Sequence, residues 1–258
     1  MLIGAIADDL TGATDLGLMF AREGLRVVQC VGIPADAAAL AGAQVIVVSL
    51  KTRTIPPADA IAQSLAALAC LERAGATRFL FKYCSTFDST DQGNIGPVAD
   101  ALMAALGETR SIACPAMPTT GRTVYQGHLF VGDALLSESS MKDHPLTPMR
   151  DSSLVRVLAR QTTRPVSLVA HATVRAGGAA LDRAFADIDG IAIVDAIDET
   201  DLRRIGHAAR DMRLVTGGSG IAPGLAASMP REAVAGPAAP VAPAQPAVVA
   251  AQPAQRPR

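Results

Sequence analysis

The sequence predicts an α/β protein: a mostly parallel sheet with flanking helices and a small inserted β-hairpin. Short, nearly unbroken apolar runs alternate with longer amphipathic runs, and such apolar runs are typical of strands covered on both faces. Strand, helix and strand repeated in this way imply right-handed crossovers between parallel strands. A stretch rich in Pro, Gly and polar residues, at 114–150, interrupts this alternation once.

In the first half, the predicted strands have continuous hydrophobicity and the predicted helices are rich in Ala, Leu and Met at helical spacing. The strands are 2–7, 26–31, 45–50, 78–82 and 111–113, and the helices are 14–22, 57–74 and 97–106.

Two alternating runs around Gln126-Gly127, in RTVYQGHLFV, predict the hairpin. The α/β alternation then resumes, with predicted helices at 152–160, 178–186 and 201–210 and predicted strands at 166–170, 191–194 and 213–216.

Residues 1–228 are predicted to form one domain and residues 229–258 a tail. The thirty tail residues include seven Pro and ten Ala without an apolar period. Such a segment buries too little surface to offset its ordering entropy, so we expect it to be disordered.

Composition narrows the function classes. Lys and Arg number 23 against 24 Asp and Glu, and aromatic residues make up only 3%, which argues against nucleic-acid binding. Four scattered cysteines suit a reducing cytoplasm. The start MLIGAIADDL lacks a basic region, and no apolar run reaches the roughly 20 residues of a membrane span. We therefore expect a cytoplasmic protein with a small-molecule partner, no nucleic-acid partner and no membrane partner.

The first polar cluster follows the first strand and contains Asp8, Asp9 and Thr11. Ligands of open parallel sheets bind beyond the carboxyl ends of strands, and a carboxylate there can take a proton from a substrate hydroxyl. The alternative is that Asp9 or Thr11 only caps the following helix and that Asp8 is a solvated loop residue.

The second cluster follows the fourth strand and suits a hydroxylated, negatively charged small ligand. Its hydroxyls and amide would bind ligand hydroxyls, while its cation would bind a carboxylate. The alternative is a Ser/Thr-rich loop capped by Asn94. The candidates are Lys82, Ser85, Thr86, Asp88, Ser89, Thr90 and Asn94.

Arg122 is a candidate carboxylate clamp, because a planar guanidinium matches a carboxylate bidentately. The four histidines lack metal-ligand spacing and are interpreted as structural, so no metal site is predicted. The Gly-rich run 216–220 matches no nucleotide fingerprint and is interpreted as a tight turn, with a phosphate cradle as the alternative.

Taken together, ADDLTGATD, KYCSTFDST-x-x-GNIG, CPAMPTTGRTVYQGHLFVGDALLSES and DHPLTPMRDS resemble the four-carbon acid sugar kinase family. The form KYCSTFDST most resembles its 3-oxo-tetronate kinase branch. The resemblance implies transfer of the γ-phosphoryl of ATP, with Mg²⁺, to the terminal hydroxyl of a four-carbon sugar acid, giving 3-oxo-tetronate 4-phosphate from 3-oxo-tetronate. It places Asp8 and Asp9 at the reacting hydroxyl as catalytic residues and the second cluster, with Arg122, around the sugar acid.

The resemblance ends near residue 226, before the family's nucleotide-binding half, which would carry most of the ATP site. The alternative function is therefore an acid-sugar-binding domain without unaided kinase activity. Such a domain would work only with a separate nucleotide-binding partner chain, or not at all. A homo-oligomer is the alternative assembly to a separate partner chain. A truncated or frame-shifted reading frame would account for the tail. A haloacid-dehalogenase-type phosphatase is a weaker alternative, since that class usually has an acid where this sequence has Thr11.

Overall fold

The computed structural model describes residues 2–35 and 40–229. Eight parallel strands form one sheet in the order β2-β3-β1-β4-β11-β5-β10-β9. They are β1 (Ile3–Ala7), β2 (Val27–Val31), β3 (Val45–Ser49), β4 (Arg78–Lys82), β5 (Arg110–Cys114), β9 (Val166–Val169), β10 (Gly190–Val194) and β11 (Leu214–Gly217). Strands β1, β3, β4 and β10 are buried along their whole length, as their continuous apolar runs predict.

Helices cover both faces of the sheet. Right-handed crossovers that lead toward opposite edges place their helices on opposite faces. The helices are α1 (Leu10–Arg22), α2 (Pro57–Arg73), α3 (Ile95–Leu106), α4 (Leu154–Ala159), α5 (His171–Ala176), α6 (Gly178–Ala186), α7 (Glu199–Ala208) and α8 (Ala222–Ala227). The contacts between them agree: α2 packs on α3 and α3 on α4, whereas α8 packs on both α1 and α7.

The inserted segment forms a second, antiparallel sheet of β6 (Arg122–Tyr125), β7 (His128–Val131) and β8 (Ala134–Leu135). Gln126 and Gly127 both have positive φ, at 50° and 72°, as the two central residues of a tight hairpin turn require. The buried Asp195 accepts hydrogen bonds from both of their backbone N–H groups, at 2.7 and 2.9 Å. The hairpin is thereby fixed against the end of β10.

The strand order places a crevice between β1 and β4. The connection from β1 leads toward one edge of the sheet, and the connection from β4 leads toward the other. Adjacent strands whose connections diverge leave a gap between their carboxyl-end loops, where ligands of such sheets bind. The loop after β1, which begins at Asp8, and the end of β4, at Lys82, therefore lie next to each other.

The predicted fold class is confirmed, and so are the strands and helices named from the sequence, with shifts of a few residues at their ends. The short elements β8, α5 and α8 were not predicted. The predicted tail boundary needs a correction of one residue: Met229 is buried in the core and its backbone N–H donates to the Ala226 carbonyl. The rest of the predicted tail lies outside the described residues. Within them, no helix is both long and apolar enough to span a bilayer.

Candidate functional site

A cleft of about 360 Å³ opens at the carboxyl ends of β1 and β4. It lies where the diverging crossovers leave the crevice, and charged and hydroxyl-bearing side chains line it. Six residues predicted from the sequence are among them: Asp9, Thr11, Lys82, Ser85, Thr86 and Arg122.

Asp8 lies beneath the cleft as half of a buried ion pair. Its two carboxylate oxygens accept from Nε and Nη2 of Arg53, at 2.8 and 2.9 Å, and the residue is only 5% exposed. Burial raises the pKa of Asp8, while Arg53 acts in the opposite direction. The alternative of a solvated loop residue is therefore wrong for Asp8.

Asp9 caps helix α1. Its Oδ1 accepts from the backbone N–H of Gly12 at 2.7 Å, and its Oδ2 lies 3.0 Å from Nη2 of Arg53. Thr11 is exposed on the first turn and does not cap the helix. Both oxygens of Asp9 are thus held in place by donors, and each keeps a lone pair for a ligand hydroxyl.

Arg53 contacts carboxylates of both polar clusters predicted from the sequence. Besides Asp8 and Asp9, its guanidinium lies 3.7 Å from the carboxylate of Asp88. The sequence interpretation missed Arg53, although a signal existed: KTRT directly follows the third predicted strand, whose carboxyl end lies at the same edge of the sheet.

Lys82 is a buried cation at the end of β4, 3% exposed. Its Nζ donates to the carbonyl of Tyr83 at 2.8 Å, and no carboxylate of the described residues lies within ion-pair distance of it. A cation withdrawn from water is costly unless it is paired. Lys82 therefore favours an anion in the cleft.

The loop at 84–93 separates the cleft from a second cavity. The buried Phe87 has a φ of 52°, a conformation rare for a non-glycine residue, and its ring packs edge-on against Tyr83. Before this residue, Ser85 and Thr86 line the cleft. After it, Ser89 and Thr90 line the other cavity, of about 660 Å³. The structure therefore does not bring these two predicted residues into the cleft.

The second cavity is the larger, but its arginines are satisfied. Arg156 and Arg160 both contact Asp151, Arg160 also contacts Asp91, and Arg150 contacts Asp143. Because these charges are mutually compensated, this cavity has less reason to recruit an ion than the cleft beside Lys82.

Asn94 occupies the N-cap position of α3, but its side chain forms no capping hydrogen bond. Its Nδ2 donates instead to the carbonyls of Thr52 and Ile55, at 2.6 and 2.8 Å. The interpretation of Asn94 as a side-chain cap is wrong. The Asn94 side chain instead supports the loop that carries Arg53.

Arg122 reaches the cleft from the start of β6. Its Nη1 donates to the Thr120 carbonyl at 2.8 Å, and its buried Nε has no hydrogen-bond partner in the described part of the chain. Ser219 also lines the cleft and was not named individually as a candidate from the sequence.

The histidines and the Gly-rich run do not supply a metal or phosphate site. Nδ1 of His128 contacts the Gln126 carbonyl, Nδ1 of His144 contacts the Thr147 hydroxyl, and Nε2 of His171 contacts the Asp201 carboxylate. Across residues 2–35 and 40–229, no three or more His, Cys, Asp or Glu side chains are grouped to hold a metal ion. The N–H of Gly218 donates to the carbonyl of Cys114 at 3.0 Å and is not free for a phosphate.

Comparison with known proteins shows the family of the chain. The family model described as the sugar-binding N-terminal domain matches residues 3–225. The chain belongs to this family.

This sugar-binding domain is 56% identical over 236 residues to a 3-oxo-tetronate kinase of Burkholderia multivorans, covering 90% of this chain and 55% of the relative. It therefore spans about half the length of the curated relatives it matches. The resemblance to the acid sugar kinases, drawn from the motifs, is confirmed.

Solved structures share the fold of the sugar-binding domain. A Haemophilus influenzae protein superposes with a TM-score of 0.85 at 46% identity, covering 87% of this chain and 55% of that one. A domain of unknown function from Bordetella bronchiseptica, solved with bound citrate as a domain-swapped dimer, has a TM-score of 0.75 at 33% identity. That match covers 88% of this chain and 57% of the other.

Proposed function

We propose that residues 1–228 form the acid-sugar-binding domain of a kinase. The reaction is transfer of the γ-phosphoryl of ATP to the terminal hydroxyl of a four-carbon sugar acid, with 3-oxo-tetronate as substrate and 3-oxo-tetronate 4-phosphate as product. The names of the relatives support this reaction class. The citrate in the Bordetella structure supports carboxylate recognition by that relative.

One observation carries the proposal: Lys82 is a buried ammonium that lines the cleft, and it forms no ion pair with any carboxylate of the described residues. A ligand carboxylate would supply the missing counter-charge. The neighbouring Asp9 and the hydroxyls of Ser85 and Thr86 would bind the hydroxyl groups of the same ligand.

The two acids take different roles in this proposal. Asp9 lines the cleft, so it contacts and orients the terminal hydroxyl. Because the Gly12 N–H and Arg53 already hold its two oxygens, the carboxylate has a fixed direction, which suits it to orient that hydroxyl. Asp8 is buried beneath Arg53 and acts through that side chain, which it holds in place.

The described residues do not fit ATP or Mg²⁺. The carboxylates of Asp8, Asp9 and Asp88 surround Arg53, a cation that disfavours a metal ion at the same place. The glycines of the run 216–220 lie against backbone carbonyls. In our proposal, the nucleotide site belongs to the half of the relatives that this chain does not match.

A second function is an acid-sugar-binding domain without unaided kinase activity, acting with a nucleotide-binding partner chain or as a homo-oligomer. The described residues favour it, because their cation-filled acidic cluster and closely packed glycines do not fit ATP or Mg²⁺. A dehalogenase-type phosphatase has less support, because Arg53 and the Gly12 N–H hold the carboxylate oxygens of Asp9, which would have to attack as the nucleophile.

Calorimetry with erythronate, a four-carbon sugar acid, tests the function. We expect wild-type protein to bind erythronate and Lys82→Met to lose about 1.5–3 kcal/mol of binding free energy, typical of a hydrogen bond to a charged group. Lys142→Met, at an exposed lysine, is the matched control and should bind normally. Wild-type protein that gives no erythronate signal would contradict the proposal.

A separate titration with ATP and Mg²⁺, followed by an assay for phosphate transfer, distinguishes the two functions. Erythronate binding without ATP binding supports the binding domain alone. Phosphorylated erythronate produced by the purified chain supports the complete kinase.

Cysteine alkylation reports independently on the cleft. Burial and the neighbouring Asp88 raise the pKa of the Cys84 thiol, which lines the cleft, and burial raises the pKa of Cys114 to about 12. Since the thiolate is the nucleophile, iodoacetamide should modify Cys84 slowly at pH 9 and leave Cys114 unmodified in the folded protein. Erythronate should protect Cys84, as read from the masses of the separate peptides. Equal labelling with and without saturating erythronate would place the ligand elsewhere.

A further inference from the structure

Of the Gly-rich run 216–220, only Ser219 has been placed at the cleft so far, yet the glycines of the run follow a clear pattern. A Cβ on Gly217 would lie 2.2 Å from the Cys114 carbonyl oxygen, and one on Gly220 would lie 2.4 Å from that of Ala116. Neither glycine has a positive φ. The glycines are therefore required for close packing on the chain that follows β5, not for a left-handed turn.

This close packing places Ser219 in the cleft. In the sheet, Gly217 pairs with Lys82 on one side and with Cys114 on the other. Ser219 follows two residues later, between the end of β4 and the segment that leads to Arg122. It lines the cleft together with Lys82 and Arg122.

The hydroxyl of Ser219 has unused hydrogen-bonding capacity. The residue is 1% exposed, and its Oγ has no partner within residues 2–35 and 40–229. Nε of Arg122 is likewise buried and unpartnered, and Nζ of Lys82 donates only to the Tyr83 carbonyl among described groups. An unsatisfied buried polar group is destabilising, and each one calls for an explanation.

We propose that the Gly-rich run is a carboxylate-binding loop. Its glycines place the Ser219 hydroxyl beside Lys82 and Arg122, and these three side chains bind the carboxylate of the sugar acid. The charged end of the ligand then lies at the side of the cleft formed by β4 and β11, and Asp9 is left for a hydroxyl group. This inference rests on the proposed function and adds the subsite that recognises the acid.

Calorimetry with erythronate and Ser219→Ala tests the inference. Loss of a hydrogen bond to a charged group should weaken binding about tenfold or more, with the thermal midpoint kept. Ser64→Ala is the matched control, because Ser64 Oγ on α2 is also buried and unpartnered in the described residues, and Ser64 is not among the residues lining the cleft. It should leave the affinity unchanged.

A crystal structure of the erythronate complex gives the second readout. We expect a carboxylate oxygen within hydrogen-bond distance of Ser219 Oγ. Normal affinity of Ser219→Ala, or a carboxylate bound away from Ser219, overturns the inference and leaves the proposed function intact. Wild-type protein that binds no erythronate overturns both.

Discussion

Replacing Arg53 with methionine is expected to lower the free energy of unfolding by about 3 kcal/mol at pH 7. Removing one partner of a buried ion pair leaves the other charge uncompensated, a loss of about 3–5 kcal/mol. The lower figure applies because the Arg53 side chain keeps 22% of its surface exposed. Urea unfolding of wild-type and variant protein measures the difference.

The pH dependence identifies the uncompensated charge. The pKa of Asp8 is already raised by burial, and loss of Arg53 removes the main opposing effect, so it rises further. A carboxyl whose pKa is higher in the folded than in the unfolded state destabilises the fold once it ionises. The deficit of the variant should therefore be largest at neutral pH and shrink as the pH falls toward the ordinary value of 3.8.

Two further variants act as controls for Arg53. Adding Asp8→Asn to Arg53→Met should restore part of the stability, because it removes the unpaired carboxylate. Arg150→Met breaks an ion pair in which both side chains are exposed, and exposed pairs contribute about 1 kcal/mol or less. If Arg53→Met is less stable than wild type by the same free energy of unfolding at every pH between 4 and 8, the loss comes from packing and not from an unpaired charge.

The second large effect is expected from Gly12→Ala, which should weaken erythronate binding at least tenfold without unfolding the protein. A Cβ at this position would lie 2.4 Å from Nζ of Lys82 and 2.5 Å from Oδ1 of Asp9. Both atoms are side-chain ends, so they would move aside while the backbone stays. Loss of one hydrogen bond to the ligand carboxylate corresponds to about a tenfold change.

Gly17→Ala on the same helix is the matched control for Gly12→Ala. A Cβ there would meet its nearest atom, Cγ1 of Val27, at 3.6 Å, an ordinary contact. Alanine stabilises helix interiors by about 1 kcal/mol relative to glycine. Gly17→Ala should therefore raise the thermal midpoint and keep the affinity for erythronate. Calorimetry should show weaker erythronate binding only for Gly12→Ala. Wild-type affinity in Gly12→Ala would show that the ligand does not use Lys82 and Asp9.

Much of the site's location could be predicted from local sequence. Asp8 and Lys82 each stand at the carboxyl end of a buried apolar run. Because parallel strands end at a common edge, both were expected near one ligand. The hairpin was equally local, since Gln126-Gly127 supplies the two positive φ angles that its turn requires.

Other features depended on contacts between distant segments. Arg53 is 45 residues from Asp8 in the chain, and only the sheet order brings them together. Ser85 and Ser89 have the same residue type in one loop, yet the buried ring of Phe87 directs the chain so that they line different cavities. Residue type could not distinguish them.

The fold class, the strands, and the edge of the sheet where polar side chains gather could be predicted from residue order, because they depend on short-range periodicity and on the direction of parallel strands. Which charges are compensated became known from the folded structure. Asp8 forms an ion pair with Arg53, whereas Lys82 forms none in the described residues and interacts with Asp8 only at longer range. Pairing depends on distances between side chains from separate strands, and residue order along the chain does not specify those distances.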